Sequence, residues 1–221
     1  MIGDENGHHV FQIYAPSEAE VHLRKYIAAL FEVNALEDQS DMPVDQWYQF
    51  WGCAESSRFR LNFNKSPFEI DVVICDHGVP TVSYCFSQIK SKLREEYIGV
   101  SGKDIAALRK AGTEVTKEVV SPAFAFICDT SIVVLERYPS ILQYPIVIIE
   151  CTFLFPEERE NAVATKHIHW EELKPYVVAN PEILFVLIHF SMRYRDDEIL
   201  SFFTEQNIRN IKVWAGDVLL E

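Results

Sequence analysis

The sequence predicts an α/β layered fold with a mixed sheet, and three observations carry that prediction. The first is Ile183 to Ile188, six apolar residues in a row that read as a strand buried on both faces. The second is the segment behind it, Asp196 to Gln206. Acidic residues fill its first turn and Ile199, Leu200, Phe202 and Phe203 recur at helical spacing, as in a helix packed against such a strand. The third is repetition, because strand-like and helix-like stretches alternate along the chain with strand pairs between them.

Taken in order, Val10 to Ala15 alternates apolar and polar positions and predicts a strand. Pro16 follows, and Ser17 with Glu20 has capping-box spacing for a helix over Glu18 to Val33. Asn34 to Val44 is acidic and irregular, an exposed loop. Trp47, Tyr48, Phe50 and Trp51 form an aromatic cluster that reads as a plug at a core edge, with a binding platform as the sharper alternative. Arg58 to Phe63 and Phe68 to Cys75 predict strands joined by a turn at Asn64 to Pro67, and Val79 to Ser87 a third after Asp76-His77-Gly78. Ser101 to Ala111 predicts a short helix stopped by Gly112. Ala123 to Cys128, Pro145 to Ile149 and Ile211 to Ala215 complete the strands. Pro156 to Ala164 reads as charged loop or helix, and Glu171 to Ala179 as a helix despite Pro175.

Composition narrows the function classes. With 221 residues, 48% of them hydrophobic, the chain can bury a substantial core, and it reads as one domain over 1–221 with a short basic insertion at 88–112. Its longest apolar runs are far too short to span a membrane, and its first residues resemble no signal peptide. A reducing compartment follows, the cytoplasm by default, with nucleus or organelle left open. Cys53, Cys75, Cys85, Cys128 and Cys151 are odd in number and scattered, so they read as small core residues. A formal charge of −13 argues against general nucleic-acid affinity, unless metal ions and a local basic patch hold the polyanion. Lys90, Lys92, Arg94, Lys103, Arg109 and Lys110 supply the basic concentration, whose simpler reading is a solvated face.

His77, Asp129, Glu150 and His189 stand at or just beyond strand ends, with His167 and His169 in the loop between the last two. Open α/β folds place their chemistry at such ends. Imidazole with carboxylate suits zinc, although every ligand would come from a different element.

The same residues resemble ribonuclease Z, the tRNA 3′-processing endonuclease of the metallo-β-lactamase superfamily. His77-Gly-Val-Pro with Ser83-Tyr84 resembles its H-x-V/I-x-x-x-G-Y, and Cys128-Asp129-Thr130 its G-D-T. Glu150-Cys-Thr-Phe resembles its E-A-T-F, His167 its H-S-T, and His189-Phe-Ser-Met-Arg-Tyr its H-x-S-x-R-Y. All five follow the family's order, and Val10 to Pro16 resembles the strand after its first metal motif. The resemblance implies a metallo-β-lactamase-like αββα fold with mixed sheets, two zinc ions and precursor tRNA as substrate. It implies His77, Asp129 and His189 as metal ligands, Asp129 bridging, and His167 with Glu150 as catalytic residues, His167 protonating the leaving oxygen. Ser191, Arg193, Lys103 and Arg109 would contact substrate.

The family's H-x-H-x-D-H does not occur in these 221 residues. Its absence leaves three readings: a nuclease whose N-terminal part is missing, a degenerate homologue serving as a binding or partner subunit, or a hydrolase of another ester completed by a second chain or a homo-oligomer. His77, Asp129 and His189 are expected close together in space.

Overall fold

The computed structural model describes residues 2–3, 9–35, 48–63, 65–215 and 218–219. Two sheets form. The smaller joins β1 (Ile2–Gly3), β2 (His9–Pro16) and β3 (Tyr48–Cys53), with helix α1 (Glu20–Ala35) between the last two. The larger contains β4 (Arg58–Phe63), β5 (Ser66–Ile74), β6 (Val82–Leu93), β7 (Thr116–Ile127), β8 (Ile146–Glu150), β9 (Leu184–Ile188), β10 (Ile211–Ala215) and β11 (Val218–Leu219). Its order is β11-β10-β9-β8-β7-β6-β5-β4. β4 to β7 pair antiparallel as a meander, and β7 to β10 pair parallel. Parallel pairing needs crossovers, and these hold α3 (Val133–Arg137), α4 (Arg159–Thr165), α5 (Trp170–Ala179) and α6 (Asp196–Gln206). Helix α2 (Gly102–Lys110) caps the turn between β6 and β7. Ser101 accepts from the Asp104 amide at its start, and Gly112 closes it at φ 81°.

The core lies on one face of the large sheet. Register aligns Ala125, Val147 and Phe185 in one row, and Ile127, Ile149, Leu187 and Val213 in the next. Leu135 of α3, Leu173 and Val177 of α5, and Ile199 and Phe203 of α6 pack over them. This corrects the expectation that β9 is buried on both faces. Phe185 and Leu187 are 0% exposed, whereas Leu184, Val186 and Ile188 are only half-buried. The small sheet covers the opposite face only toward the meander, where Tyr14 stacks on Phe59 at 4.1 Å and the Tyr84 hydroxyl donates to the Tyr14 carbonyl at 2.7 Å. Beyond that contact Phe126, Ile146 and Trp214 stay open, at 39%, 36% and 54% exposed.

Other expectations shift for local reasons. Ser17 does not cap α1. Its hydroxyl donates to the Cys53 carbonyl, and Ser17–Ala19 form a 3-10 turn ahead of the helix. β6 and β7 run to twelve residues each, so the basic segment begins as the end of β6 and continues into the connection that holds α2, at the tip of a long hairpin. Tyr48, Phe50 and Trp51 lie along β3, with Trp51 stacked on Tyr14, and so line a sheet rather than plug a core edge. Trp47, residues 36–44 of the expected loop and Asn64 of the expected turn fall outside the described residues.

One-sided burial of β9 has a measurable consequence. Phe185→Ala should cost about 3–5 kcal/mol, the usual loss for a fully buried ring. Val186→Ala, one residue along on the open face, should cost about 1 kcal/mol or less. Urea unfolding of the two variants distinguishes them, and equal losses would mean that both faces are packed.

Candidate metal centre

Strand direction assembles the site. β7, β8 and β9 are parallel, and two antiparallel steps make β5 run the same way, so all four end on one rim of the sheet. His77 follows β5, Asp129 follows β7, Glu150 closes β8 and His189 follows β9. His167 arrives from the loop between α4 and α5. The rings of His77 and His167 lie 4.9 Å apart and those of His167 and His189 5.3 Å apart, while His189 Nε2 sits 3.2 Å from Asp129 Oδ1. Asp129 (φ 47°), His189 (φ 60°) and Lys166 (φ 56°) hold left-handed backbone without being glycine, a strained state that clusters at functional sites.

Glu150 organises the rim from beneath. It is 0% exposed, and its carboxylate accepts from the Thr130 amide (2.5 Å), the Ile168 amide (3.0 Å), the Thr152 hydroxyl (2.6 Å) and His167 Nδ1 (2.9 Å). Its burial keeps it from reaching a substrate, so its influence runs through His167. The bond to Glu150 raises the His167 pKa above its ordinary value, against the opposing effect of burial.

Thr152 links the two histidines. Its single proton goes to the charged Glu150 at 2.6 Å, so its oxygen accepts from His189 Nδ1 at 3.2 Å. His189 is then protonated on Nδ1 and turns the Nε2 lone pair toward Asp129 Oδ1. Two acceptors 3.2 Å apart need a positive charge between them, either a proton or a metal ion. That makes the donor set fit for a cation, with Thr152 and Glu150 as the supporting shell that metal-binding histidines require.

The second support is electrostatic. Asp76 accepts from Lys166 Nζ and Ser131 Oγ, both at 2.7 Å, and its amide donates to Thr130 Oγ1 at 3.1 Å. The Lys166 ammonium and the Ser131 hydroxyl hold the Asp76 carboxyl below the usual carboxylate range. This clamp ties the ends of β5 and β7 to the loop carrying His167, and brings Lys166 O to 3.5 Å from His77 Nδ1.

Two sets of ligand atoms lie within 4.8 Å of one another: Cys128, Asp129 and His189, and Glu150, His167 and His189. Cys128 is the one cysteine of the five that is not buried, and its Sγ donates to Asp129 Oδ1 at 3.1 Å. Burial, with the Asp129 carboxylate beside it, pushes its thiol up to about 12. Among the residues singled out from sequence, His169 is not part of the rim. It is fully buried at the N-terminus of α5, where Nδ1 accepts from the Glu171 amide and Nε2 donates to the Phe155 carbonyl. Ser191 donates its amide to the Thr152 carbonyl, and Arg193 is exposed along a cleft of about 720 Å³ with Phe155 and Phe202. Lys103 and Arg109 do not reach the rim. They sit on α2 at the far end of the β6–β7 hairpin, roughly 35 Å along the strands.

Several residues escaped the reading from sequence. Asp76, Ser131 and Lys166 are common polar types with no spacing signal, revealed only by tertiary proximity, while Thr152 lay in the quoted Glu150-Cys-Thr-Phe without its linking role being apparent.

No protein-family model matches the chain. The tRNase Z TRZ1 of Arabidopsis thaliana is 29% identical over 180 residues, covering 80% of this chain and 62% of that protein. The chloroplastic tRNase Z TRZ2 of the same plant is 31% identical over 126 residues, 56% of this chain and 36% of that one. The chain spans about half the length of the curated relatives it matches. Among solved structures, the metallo-β-lactamase fold protein YhfI from Bacillus subtilis superposes with a TM-score of 0.53 at 10% identity, covering 98% of this chain and 65% of that one. The chain therefore has a metallo-β-lactamase fold, and the similarity to tRNase Z read from its motifs is borne out.

The Glu150–His167 bond predicts a pH dependence in chelator-treated protein. A histidine whose folded pKa is raised adds stability that is fully present below its unfolded value near 6.5 and is lost as pH rises through the folded value. Urea midpoints should therefore fall from about pH 6 to about pH 8. Glu150→Gln should flatten that slope and cost about 1–3 kcal/mol, because a buried acceptor is lost. A slope unchanged by the substitution would contradict the assignment.

Proposed function

We propose that this chain, a metallo-β-lactamase fold similar to tRNase Z, acts in metal-dependent cleavage of a phosphodiester in precursor tRNA. The observation that carries this is the 3.2 Å approach of His189 Nε2 to Asp129 Oδ1, beside two further histidines on one sheet rim. His77, Asp129 and His189 would hold the ion or ions, zinc being the metal that this imidazole and carboxylate set suits. When bound, such ions supply Lewis-acid polarisation of the phosphate and an activated water.

The remaining work falls to the chain's own residues. His167 commits its Nδ1–H to Glu150, so the imidazolium keeps its Nε2 proton for the leaving oxygen. Glu150 favours the protonated form and fixes the ring's orientation. Thr152 and Glu150 together keep His189 in the tautomer that binds through Nε2. Ser191 and Arg193, in the loop after His189, would meet the substrate's phosphates. Lys103 and Arg109 would hold a distant part of the polyanion, as suits a long substrate and an otherwise acidic protein.

No H-x-H-x-D-H segment occurs in these 221 residues, so a second ion would need donors from outside them, whether from the same protein, another copy or a partner chain. The open apolar face around Phe126, Ile146 and Trp214 favours such a partner, and with it a second reading in which this chain is a non-catalytic subunit.

Elemental analysis after zinc or manganese loading should find at least about one ion per chain, lost in His189→Ala. In the active assembly, His167→Ala should lower precursor-tRNA cleavage by roughly 100- to 10,000-fold while metal content is unchanged. Full metal content with no cleavage under any pairing would favour the binding subunit instead. A double Lys103→Ala and Arg109→Ala variant should weaken tRNA retention and reduce the slope of log affinity against log salt by about 1.5–2. An unchanged slope would return α2 to a solvated face.

A further inference from the structure

We infer that Cys128 is a metal ligand of this chain, its thiolate completing a Cys128–Asp129–His189 set for one cation. The inference rests on the metal centre proposed above and deepens it. The ribonuclease Z motif that Cys128-Asp129-Thr130 resembles has glycine at the first position, so a sulfur there adds a donor that the resemblance does not imply.

Geometry supports three donors around one point. Asp129 Oδ1 lies 3.1 Å from Cys128 Sγ and 3.2 Å from His189 Nε2, and all three ligand atoms fall within 4.8 Å of one another. Bonds of about 2.0–2.3 Å at tetrahedral angles put neighbouring donor atoms about 3.3–3.5 Å apart. The two separations from Asp129 Oδ1 need to change by only a few tenths of an ångström, and the sulfur and the imidazole stay within 4.8 Å of each other. The sulfur is also in the right place along the chain, since Cys128 follows the last residue of β7 and its amide is held by Ser83 Oγ at 3.1 Å. Cys53, Cys75, Cys85 and Cys151 are buried, and Cys128 alone is partly open to the rim.

The alternative set does not compete for the same role. Every acceptor position of Glu150 is already taken by Thr130, Ile168, Thr152 and His167, so Glu150 has little left to offer an ion. Cys128 gives its one hydrogen bond to Asp129, and ion binding would replace that S–H bond with an S–metal bond and release the proton to solvent. A Cys-Asp-His set with an open fourth position is the pattern of three protein ligands and one exchangeable site. The thiolate would turn selectivity toward zinc, cobalt or cadmium and away from magnesium or manganese.

Cobalt(II) titration of the metal-free full chain, followed by absorption spectroscopy, tests this. The expected result is visible cobalt bands together with a near-ultraviolet thiolate-to-cobalt charge-transfer band. In Cys128→Ser the visible bands should persist at higher cobalt, the charge-transfer band should vanish, and affinity should fall at least roughly tenfold. Alkylation of Cys128, read by peptide mass spectrometry, should also slow at least roughly tenfold when zinc is present. This second measurement uses the unaltered chain and so does not depend on the variant folding. Visible bands with no charge-transfer band, or one that survives in Cys128→Ser, would overturn the sulfur ligand and leave the metal centre standing. No cobalt bands and no retained ion would overturn both.

Discussion

The hydrogen bonds to the buried Glu150 carboxylate are the interactions on which the rest of the site depends. An ionised carboxylate inside a protein is costly unless every acceptor position is filled, and breaking such a group's partners costs about 3–5 kcal/mol. Here the donors come from the Thr130 amide after β7, Thr152 after β8, and the Ile168 amide with the His167 ring from the loop before α5. One charge therefore pins three separate stretches of backbone to the same point. It also sets the proton positions of both rings above it, His167 directly and His189 through Thr152. No buried side-chain nitrogen or oxygen lacks a partner among the described residues, so this polar layer is fully satisfied.

The large sheet is built to be asymmetric. Its helix-covered face is closed, and the opposite face is covered by the small sheet only near the meander. The closed face keeps the ends of β7, β8 and β9 rigid, as a site held to within a fraction of an ångström requires. The open face lies on the other side of those same strands, so whatever covers it would lie against strands that end at the rim.

Legibility of the site differed by residue. His77, Asp129, Glu150 and His189 stood out because ionisable residues at the ends of apolar strands are unusual, and His167, from a loop, because it falls in a recognisable order with them. His169 stood out for the same reason and is a helix cap instead, since a histidine before a helix satisfies amides as readily as it binds a metal. Cys128 looked like core filler among five scattered cysteines. Its placement beside Asp129 and His189 depends on a backbone turn at φ 47° that no spacing announces. The Asp76–Lys166 pair joins residues ninety positions apart, and nothing local in either segment points to the other.

By itself the sequence determined the elements and their order. The apolar run at Ile183 to Ile188, the acidic start of α6, the Ser101 cap and the Gly112 stop are local signals of pattern and turn chemistry, and the helix and strands appear where those signals lie. Tertiary structure alone decided which face of β9 would be buried and how far β6 and β7 would extend. It also decided which polar groups would meet at the rim. Those outcomes depend on pairing between distant segments, where a parallel register across β7, β8 and β9 brings Asp129, Glu150 and His189 together. A one-residue slip would turn each side chain to the other face. Period and composition within a segment carry no information about that register.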